Sequence, residues 1–314
     1  MSKAFVFPGQ GAQTIGMGKA LADAYPAAKA VFDEVDESLG EKLSDLIWEG
    51  DQETLTLTQN AQPALMATSL ATMRALEAEG VSIEAASLVA GHSLGEYSAL
   101  AAAGALSVSD CARLLRTRGQ AMQAAVPVGE GAMAAILGLD FATVTEVALA
   151  AAADGGVVQA ANDNDPAQVV VSGNAAAVEK AVELAKEKGA KRAMLLPVSA
   201  PFHSALMAPA ADVMASALSE VTITAPRVPV VANVTASGVQ DPAEIRALLV
   251  KQVTGSVRWR ESVEYMGAQG VDDVWEIGAG KALIGMVRRI NRDIATRAIG
   301  TPEDVKAAAE SMAG

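Results

Sequence analysis

The spacing of apolar residues divides the chain into short buried strands and longer helices. Strands are predicted where short apolar runs end at glycine, proline or polar residues, at 4–7, 87–90, 228–234 and 273–277. Helices are predicted where apolar residues recur every three or four positions, at about 19–39, 44–49, 62–79, 109–125, 204–218, 243–252, 259–267 and 282–290. This alternation predicts an α/β fold with helices packed against a sheet.

The middle of the chain follows a different order. Strands are predicted at 131–137, 157–161, 168–172 and 191–196, helices at 141–153 and 175–188, and a turn at 162–166. This β-α-β-β-α-β order is typical of ferredoxin-like folds. We therefore expect a small subdomain over 128–197, inserted into a large subdomain that comprises 1–127 and 198–314.

Composition and charge exclude several classes of protein. Of the 314 residues 51% are hydrophobic, so the chain can bury a substantial core, and its net charge of -13 argues against binding to nucleic acid. Its single cysteine, Cys111, excludes an intrachain disulfide and a cysteine zinc cluster, and we expect it to be a small buried helix residue. The N-terminal apolar run ends at Pro8 and no long uninterrupted apolar run follows. We therefore expect a cytoplasmic protein with neither a signal peptide nor a membrane span.

The pentapeptide Gly91-His92-Ser93-Leu94-Gly95 lies between a predicted strand and a helical segment rich in alanine and leucine. A serine at such a turn is held in a strained position with its hydroxyl exposed, and the glycines let the backbone pass closely on either side. The N-terminus of the next helix can supply N–H groups to an oxyanion. The pattern predicts that Ser93 is a nucleophile; the alternative is a structural turn.

A serine hydroxyl needs a base within hydrogen-bond reach, and the chain has two histidines. His203 lies on a proline-containing loop that leads into a helix, and an ordinary pKa of about 6.5 suits a general base; the alternative is a helix-capping or surface histidine. His92 adjoins Ser93, and because adjacent side chains at a tight turn usually diverge, we expect it to pack against or orient the site. No carboxylate stands out as a third triad member, so a backbone carbonyl or an amide could orient the imidazole.

Two further features could complete such a site. Gly9-Gln10-Gly11 follows the first strand, and an N–H of this loop together with that of Leu94 could form an oxyanion hole; the alternative is a plain glycine turn. Arg118 is turned away from the helix face that Arg113 and Arg116 share. It could clamp a carboxylate or lie on a solvated face, and the spacing does not choose between the two.

Several motifs occur together, from the first strand to the last helices: Phe7-Pro8-Gly9-Gln10-Gly11-Ala12-Gln13, Gly91-His92-Ser93-Leu94-Gly95-Glu96, Arg118-Gly119, Pro201-Phe202-His203-Ser204 and Gly278-Ala279-Gly280-Lys281. In this order they resemble the malonyl-CoA:acyl-carrier-protein transacylase family. The resemblance implies a hydrolase-like α/β core with a parallel sheet and a nucleophile elbow, and a ferredoxin-like insertion. It also implies that the protein holds no metal and no bound cofactor.

The resemblance implies roles for individual residues. Ser93 would be the nucleophile and His203 the base, while Arg118 would pair with the free carboxylate of malonate. The oxyanion would be held by the backbone N–H groups of Gln10 and Leu94. A main-chain carbonyl at the third triad position would come from Gln252. The acyl pocket would be lined by His92, Met122, Asn162 and Val198. The carrier-protein docking pair would be Arg288 and Arg289. Leu94 and Phe202 resemble the malonyl-selecting rather than the methylmalonyl-selecting forms of the family.

We therefore expect ping-pong transfer of malonyl from malonyl-CoA, through a malonyl-Ser93 ester, to the phosphopantetheine thiol of acyl carrier protein, for fatty-acid or polyketide synthesis. The enzyme would be a monomer without nucleic-acid or membrane partners. One alternative is a serine thioesterase or esterase with the same elbow, and another is a non-catalytic module that binds carrier protein or acyl-CoA. Because carrier proteins are usually acidic, docking needs a locally basic surface, either Arg288, Arg289 and Arg292 or Lys186, Lys188, Lys191 and Arg192.

Overall fold

The computed structural model describes residues 2–198 and 200–313 and contains two β-sheets flanked by helices. The strands are β1 (Ser2–Phe7), β2 (Leu88–Gly91), β3 (Gly131–Leu137), β4 (Val158–Asp165), β5 (Gln168–Asn174), β6 (Arg192–Leu195), β7 (Val230–Ala232), β8 (Ser237–Val239), β9 (Val271–Ile277) and β10 (Ala295–Ile299). The α-helices are α1 (Lys19–Ala24), α2 (Pro26–Leu39), α3 (Leu43–Glu49), α4 (Gln52–Thr56), α5 (Thr58–Ala78), α6 (Leu94–Ala102), α7 (Val108–Ala124), α8 (Phe141–Ala151), α9 (Ala175–Glu187), α10 (Ala208–Ser219), α11 (Pro242–Thr254), α12 (Trp259–Ala268), α13 (Ala282–Ile290) and α14 (Pro302–Ala313).

The larger sheet has the strand order β10-β9-β1-β2-β7-β8. All its neighbouring pairs are parallel except the last, in which β8 runs antiparallel to β7 at one edge. Along β1, Phe5 packs into the core on one face of the sheet and Val6 into the core on the other. A strand covered on both faces reads as a continuous apolar run, as 4–7 does. The predicted α/β fold with a mostly parallel sheet is confirmed.

The smaller sheet has the order β4-β5-β3-β6, and each neighbouring pair is antiparallel. Along the chain its strands and the helices α8 and α9 follow the order β-α-β-β-α-β. The two helices and the sheet share a core of their own, which includes Ile136, Val147, Val171 and Val178. This second core makes residues 131–195 a compact unit beside the larger sheet.

Several predicted elements differ from the structure; for example, α5 begins at Thr58 rather than 62, and β7 spans only Val230–Ala232. The helix expected over 19–39 breaks at Tyr25, whose backbone is extended, because a residue before proline is disfavoured in helical geometry. The turn expected at 162–166 is narrower, since β4 continues to Asp165 through two register shifts and only Pro166 and Ala167 form the turn. The α-helix expected from 204 begins at Ala208, after a short 3₁₀ turn.

Of the strands and α-helices that the structure describes, four were not predicted, namely β8, β10, α4 and α14. Cys111, by contrast, lies fully buried in α7 as expected. No helix among the described residues is long and apolar enough to cross a membrane.

Candidate active site

The parallel register of β1 and β2 places two loops side by side at the carboxyl end of the larger sheet. Phe7 at the end of β1 is opposite Gly91 at the end of β2. The loop after β1 carries Gly9 and Gln10, and the turn after β2 carries Ser93. These loops touch: a Cβ on Gly9 would lie 2.7 Å from the carbonyl oxygen of His92.

Ser93 occupies a strained turn between β2 and α6. Its φ of 53° and ψ of -110° form a conformation that residues with a Cβ rarely adopt. A Cβ on Gly91 would lie 1.9 Å from the backbone of Gly95, and one on Gly95 would lie 2.2 Å from the carbonyl oxygen of Phe7. The turn therefore requires both glycines, as the pentapeptide predicts.

Asn233, just after β7, holds this turn from the neighbouring strand. Its Oδ1 accepts a hydrogen bond from the backbone N–H of Ser93 at 2.8 Å, and its Nδ2 donates to the carbonyl of Gly91 at 2.7 Å. One buried amide thus satisfies backbone groups on both sides of His92, which stabilises the strained conformation.

The side chains of Ser93 and His203 form a hydrogen-bonded pair, with Oγ 2.7 Å from Nε2. The other ring nitrogen, Nδ1, lies 2.9 Å from the carbonyl oxygen of Gln252 and 3.1 Å from that of Gly255. Because carbonyl oxygens only accept, Nδ1 carries the proton and Nε2 is free to accept from the serine hydroxyl. Backbone carbonyls thus hold the ring where a triad would use a carboxylate.

Burial, and secondly the charge of Arg118, lower the pKa of His203 to about 3. The imidazole is consequently neutral at physiological pH, which is the form that a general base needs. Burial also lowers the pKa of His92, whose Nε2 donates to Oδ1 of Asn164 at 2.9 Å and whose ring lies 5.8 Å from that of Trp259. His92 thus packs beside Ser93 and bonds to the small sheet.

Arg118 of α7 lies buried beside the nucleophile, with only 1% of its surface exposed. One terminal nitrogen donates to Oε1 of Gln62 at 2.7 Å; the other donates to Oε1 of Gln252 at 2.9 Å and to Oγ of Ser93 at 3.1 Å. Among residues 2–198 and 200–313, no carboxylate forms a salt bridge with it. A buried cation held by neutral groups is suited to receive a carboxylate from outside.

These side chains open into a cleft of about 460 Å³ between the two sheets. The residues expected at the acyl pocket, the oxyanion hole and the catalytic pair all line this cleft, and so does the expected partner of the substrate carboxylate. They are Gln10, His92, Ser93, Leu94, Arg118, Met122, Asn162, Val198 and His203. Gln252, expected at the third triad position, lies fully buried behind the wall and contacts both Arg118 and His203.

The two predicted docking residues lie away from this cleft, on the exposed side of α13. Nε of Arg288 donates to Oγ1 of Thr296 at 2.7 Å, and Nε of Arg289 pairs with the buried carboxylate of Asp165 at 2.7 Å. Met286 on the same helix lines the cleft. The basic pair therefore lies one helix turn from the cleft.

Three residues that hold the site were not predicted: Gln62, Glu96 and Asn233. Gln62 and Glu96 are buried polar side chains on α5 and α6. Asn233 follows a parallel strand next to β2, and the carboxyl ends of neighbouring parallel strands commonly meet at a site. That rule could have found Asn233. Within the described ranges, no group of three or more His, Cys, Asp or Glu side chains could hold a metal ion.

Comparison with known proteins agrees with this geometry. Residues 4–302 match the model of the acyl transferase domain family. The chain is 50% identical over 313 residues to the malonyl CoA-acyl carrier protein transacylase of Bacillus subtilis, covering 99% of this chain and 98% of that protein. In structure it is similar to the acyl-carrier-protein-S-malonyltransferase of Bartonella henselae, with a TM-score of 0.97 and 57% identity over 100% of both chains.

A further similar structure is a malonyl-transacylase in complex with a type II PKS acyl-carrier protein. The TM-score is 0.96 and the identity 42%, covering 99% of this chain and 100% of that one. The chain therefore belongs to the acyl transferase family and, within it, to the malonyl CoA-acyl carrier protein transacylases.

Proposed function

We propose that this chain transfers a malonyl group from malonyl-CoA to the phosphopantetheine thiol of an acyl carrier protein, in fatty-acid or polyketide synthesis. The observation that carries the proposal is the buried guanidinium of Arg118, 3.1 Å from the nucleophile and held by neutral amides. A hydrolase of simple acyl esters has no use for a buried cation at this position. A thioester whose acyl group ends in a carboxylate needs such a cation, because the ion pair fixes the acyl group beside Ser93.

The first half-reaction forms an ester on Ser93. Its Oγ attacks the thioester carbonyl while Nε2 of His203 takes the hydroxyl proton. Negative charge develops on the carbonyl oxygen, and the backbone N–H groups of Gln10 and Leu94 would hold it there. The C–S bond then breaks, His203 returns the proton to the departing CoA thiol, and malonyl-Ser93 remains.

The second half-reaction reverses these steps with another thiol. His203 takes the proton of the phosphopantetheine thiol, whose sulfur attacks the ester carbonyl of malonyl-Ser93. The C–O bond breaks, the proton goes to Oγ, and malonyl leaves on the carrier. CoA departs before the carrier reacts, so the mechanism is ping-pong.

The substrate carboxylate also changes the charge around the base. In the free site the charge of Arg118 helps to lower the pKa of His203. A malonyl carboxylate bound to Arg118 compensates that charge, so the pKa of His203 rises toward its ordinary value. The imidazole therefore takes up the serine proton more readily when the correct acyl group is bound.

The acyl pocket supports selection of malonyl. Leu94 and Phe202 both line the cleft, close to the nucleophile and the base respectively. The branched methyl group of methylmalonyl needs room that such large apolar side chains occupy. We therefore include preference for malonyl over methylmalonyl in the proposal.

We place the carrier-protein contact on the exposed face of α13, at Arg288 and Arg289. Two observations support this placement: both residues are exposed, and α13 also contributes Met286 to the cleft. The solved complex of a related malonyl-transacylase with an acyl-carrier protein supports a carrier as partner. Both basic surfaces contain side chains that are already paired, Arg289 with Asp165 on this one and, on the rival one, Lys186 with Glu183 and Lys188 with Glu146.

The finer description of the fold belongs to the same proposal. We assign the large subdomain, 1–127 and 198–314, to a hydrolase-like core and the small one, 128–197, to a ferredoxin-like fold. The antiparallel order β4-β5-β3-β6 and the separate core support the second assignment. Met1, Ser199 and Gly314 fall within these boundaries but outside the described residues. We also propose a cytoplasmic monomer that needs no metal or bound cofactor.

The test is to incubate the enzyme with labelled malonyl-CoA in the absence of carrier protein. We expect a stoichiometric malonyl ester on the peptide that contains Ser93, and none in Ser93→Ala. Ser98→Ala is the matched control, because Ser98 is a buried serine of α6, the helix that follows Ser93, and does not line the cleft. Absence of the ester would identify a non-catalytic binding module.

The second arm adds holo carrier protein to the isolated acyl-enzyme. We expect the carrier thiol to discharge the ester much faster than water does. Release of free malonate at the same rate with and without carrier would instead identify a thioesterase.

A further inference from the structure

A buried carboxylate beneath the elbow takes no part in the steps above. Glu96 lies one turn after Ser93 in α6 and is 3% exposed. Its Oε2 accepts two hydrogen bonds, from Nε2 of Gln252 at 2.8 Å and from the backbone N–H of Asn233 at 3.0 Å. Burying a carboxylate is costly, and an apolar side chain would fill the same space without that cost. The position therefore calls for an acceptor.

Capping of α6 does not account for this acceptor. Serine followed three residues later by glutamate is the pattern of a capping box, in which the glutamate accepts from the backbone N–H of the serine. Here the N–H of Ser93 donates to Asn233 instead, and Oγ of Ser93 is bonded to His203. The carboxylate of Glu96 is directed away from its own helix end, toward α11.

The partner on α11 is the side-chain amide of Gln252, whose orientation matters for the site. Its Nε2 donates to Glu96 and, at 3.0 Å, to the carbonyl of Ser93, so its Oε1 points the other way and accepts from Arg118. If the amide turned over, an NH₂ group would face the guanidinium, and two donors would oppose each other. The acceptors that bind Nε2, namely Glu96 and the carbonyl of Ser93, thus ensure that Arg118 meets the amide oxygen of Gln252 and not its NH₂ group.

We propose that Glu96 is a positioning residue for the transfer reaction: it orients the amide of Gln252 and thereby fixes the guanidinium of Arg118 that binds the substrate carboxylate. The inference rests on the proposed function, because it assumes a substrate with a carboxylate. Glu96 itself touches neither the substrate pocket nor the reacting atoms, and it is absent from the cleft lining.

An oxygen acceptor, rather than a negative charge, is what the geometry requires. Burial raises the pKa of Glu96 to about 7, against the lowering effect of its hydrogen bonds to Asn233 and Gln252 and of the charge on Arg118. The side chain is therefore partly protonated at neutral pH, and an unprotonated Oε2 can accept in either state. A glutamine at this position can place a carbonyl oxygen at the same point, whereas a shorter aspartate cannot.

The experiment measures how the enzyme partitions between equimolar malonyl-CoA and acetyl-CoA, as the ratio of the two acyl-Ser93 masses. Three variants are compared with wild type: Glu96→Gln, Glu96→Asp and Glu96→Leu. We expect Glu96→Gln to keep the malonyl-to-acetyl ratio within about threefold. Loss of one charge-assisted hydrogen bond corresponds to roughly tenfold, so Glu96→Asp and Glu96→Leu should lower the ratio by about that factor.

The ratio separates positioning from a general structural role. A merely structural defect slows acylation by both acyl groups alike and leaves the ratio unchanged, whereas a displaced Arg118 slows malonyl alone. In a Gln252→Leu background, Glu96→Leu should cause no further loss, because the two residues act in series. Asp36→Leu is the matched control: Asp36 is a buried carboxylate bonded to Ser44, does not line the cleft, and should lower the melting temperature without moving the ratio.

If Glu96→Leu does not fold, the comparison of Glu96→Asp with Glu96→Gln decides. An unchanged ratio in Glu96→Asp overturns the inference, and so does a loss in Glu96→Gln as large as that in Glu96→Asp, which would assign the effect to charge. Wild-type enzyme that forms no malonyl ester would instead overturn the proposed function, and the inference with it.

Discussion

Replacing Arg118 tests the chemistry of the site most directly. Arg118→Ala removes two terminal nitrogens that face Ser93, Gln62 and Gln252, and with them the charge that a malonyl carboxylate would meet. Arg118→Lys keeps a positive charge but replaces the planar guanidinium with a single ammonium group on a shorter side chain. The pair of variants therefore separates charge from geometry.

The size of the effect follows from the bonds that a bidentate contact makes. Each charge-assisted hydrogen bond contributes about 1.5–3 kcal/mol, so two contribute roughly 3–6 kcal/mol. At about 1.4 kcal/mol per factor of ten, Arg118→Ala should lower kcat/KM for malonyl-CoA by roughly 10²- to 10⁴-fold. Acetyl-CoA has no carboxylate, so its kcat/KM should change little. Arg118→Lys should fall between wild type and Arg118→Ala, with a loss of about tenfold in kcat/KM for malonyl-CoA.

The assay is the same competition between malonyl-CoA and acetyl-CoA, because the ratio of acyl-enzymes formed is the ratio of the two kcat/KM values. Arg113→Ala is the matched control, since Arg113 is an exposed arginine of the same helix that bonds to Asp110. If the preference for malonyl over acetyl is unchanged in Arg118→Ala, then Arg118 does not bind the substrate carboxylate and the cleft is not a malonyl site.

Three further predictions concern stability, sterics and docking. His203→Gln should make the free energy of unfolding less sensitive to acid. The reason is that an unfolded histidine binds a proton below about pH 6.5, whereas the buried one binds it only near pH 3. Between pH 6.5 and 4.5 the free energy of unfolding, measured by urea titration, should therefore fall by about 2 kcal/mol more in wild type than in the variant. Gly95→Ala should slow Ser93 acylation by about 10²-fold, because its Cβ would lie 2.2 Å from the carbonyl oxygen of Phe7 and the elbow must move. Transfer to carrier protein should weaken as salt rises, and Arg288→Glu with Arg289→Glu should raise the KM for carrier without changing acylation by malonyl-CoA.

The first of these predictions has a refuting outcome, and the other two have control variants in the same chain. Equal acid sensitivity in His203→Gln would mean that His203 titrates normally in the folded protein. In Gly267→Ala, in α12, the added Cβ meets only the ends of two side chains, Asn291 at 3.4 Å and Ile294 at 3.7 Å, and the change should stabilise the fold by roughly 0.5–1 kcal/mol. Lys188→Glu reports on the rival basic surface, and a larger effect there than at Arg288 and Arg289 would move the docking site to the small sheet.

Local patterns predicted the parts of the site that a short stretch of chain determines. The strand, the glycines and the helix around Ser93 are adjacent in sequence, so their geometry could be expected without any long-range contact. His203 was found because the chain has few histidines, and the backbone carbonyl at Gln252 because of the family resemblance. The contact of Asn233 with Ser93 joins positions 140 residues apart, and no local pattern reports such a contact.

The wrongly predicted turn at 162–166 has the same cause. Asparagine and aspartate favour turns because their side chains bond to nearby backbone. In β4 three of these side chains bond to distant groups: Asp163 to Arg260, Asn164 to His92 and Asp165 to Arg289. Asp165 in addition accepts from the backbone N–H of Ala167, at the turn that remains. Long-range partners thus outweigh local turn preference and keep the strand extended to Asp165. The short strands β8 and β10, at the edges of the larger sheet, carry too few apolar residues to be recognised by periodicity.

The positive φ of Ser93 has a consequence for how this protein can lose its activity. Such a conformation costs a residue with a Cβ about 1–3 kcal/mol, and glycine avoids that cost. Ser93→Gly should therefore be more stable than Ser93→Ala, although both lack the nucleophile. A duplicated copy no longer selected for acyl transfer would gain stability by exchanging its nucleophile for glycine. Such a copy would keep the fold and the cleft, and a glycine at position 93 would mark it as inactive.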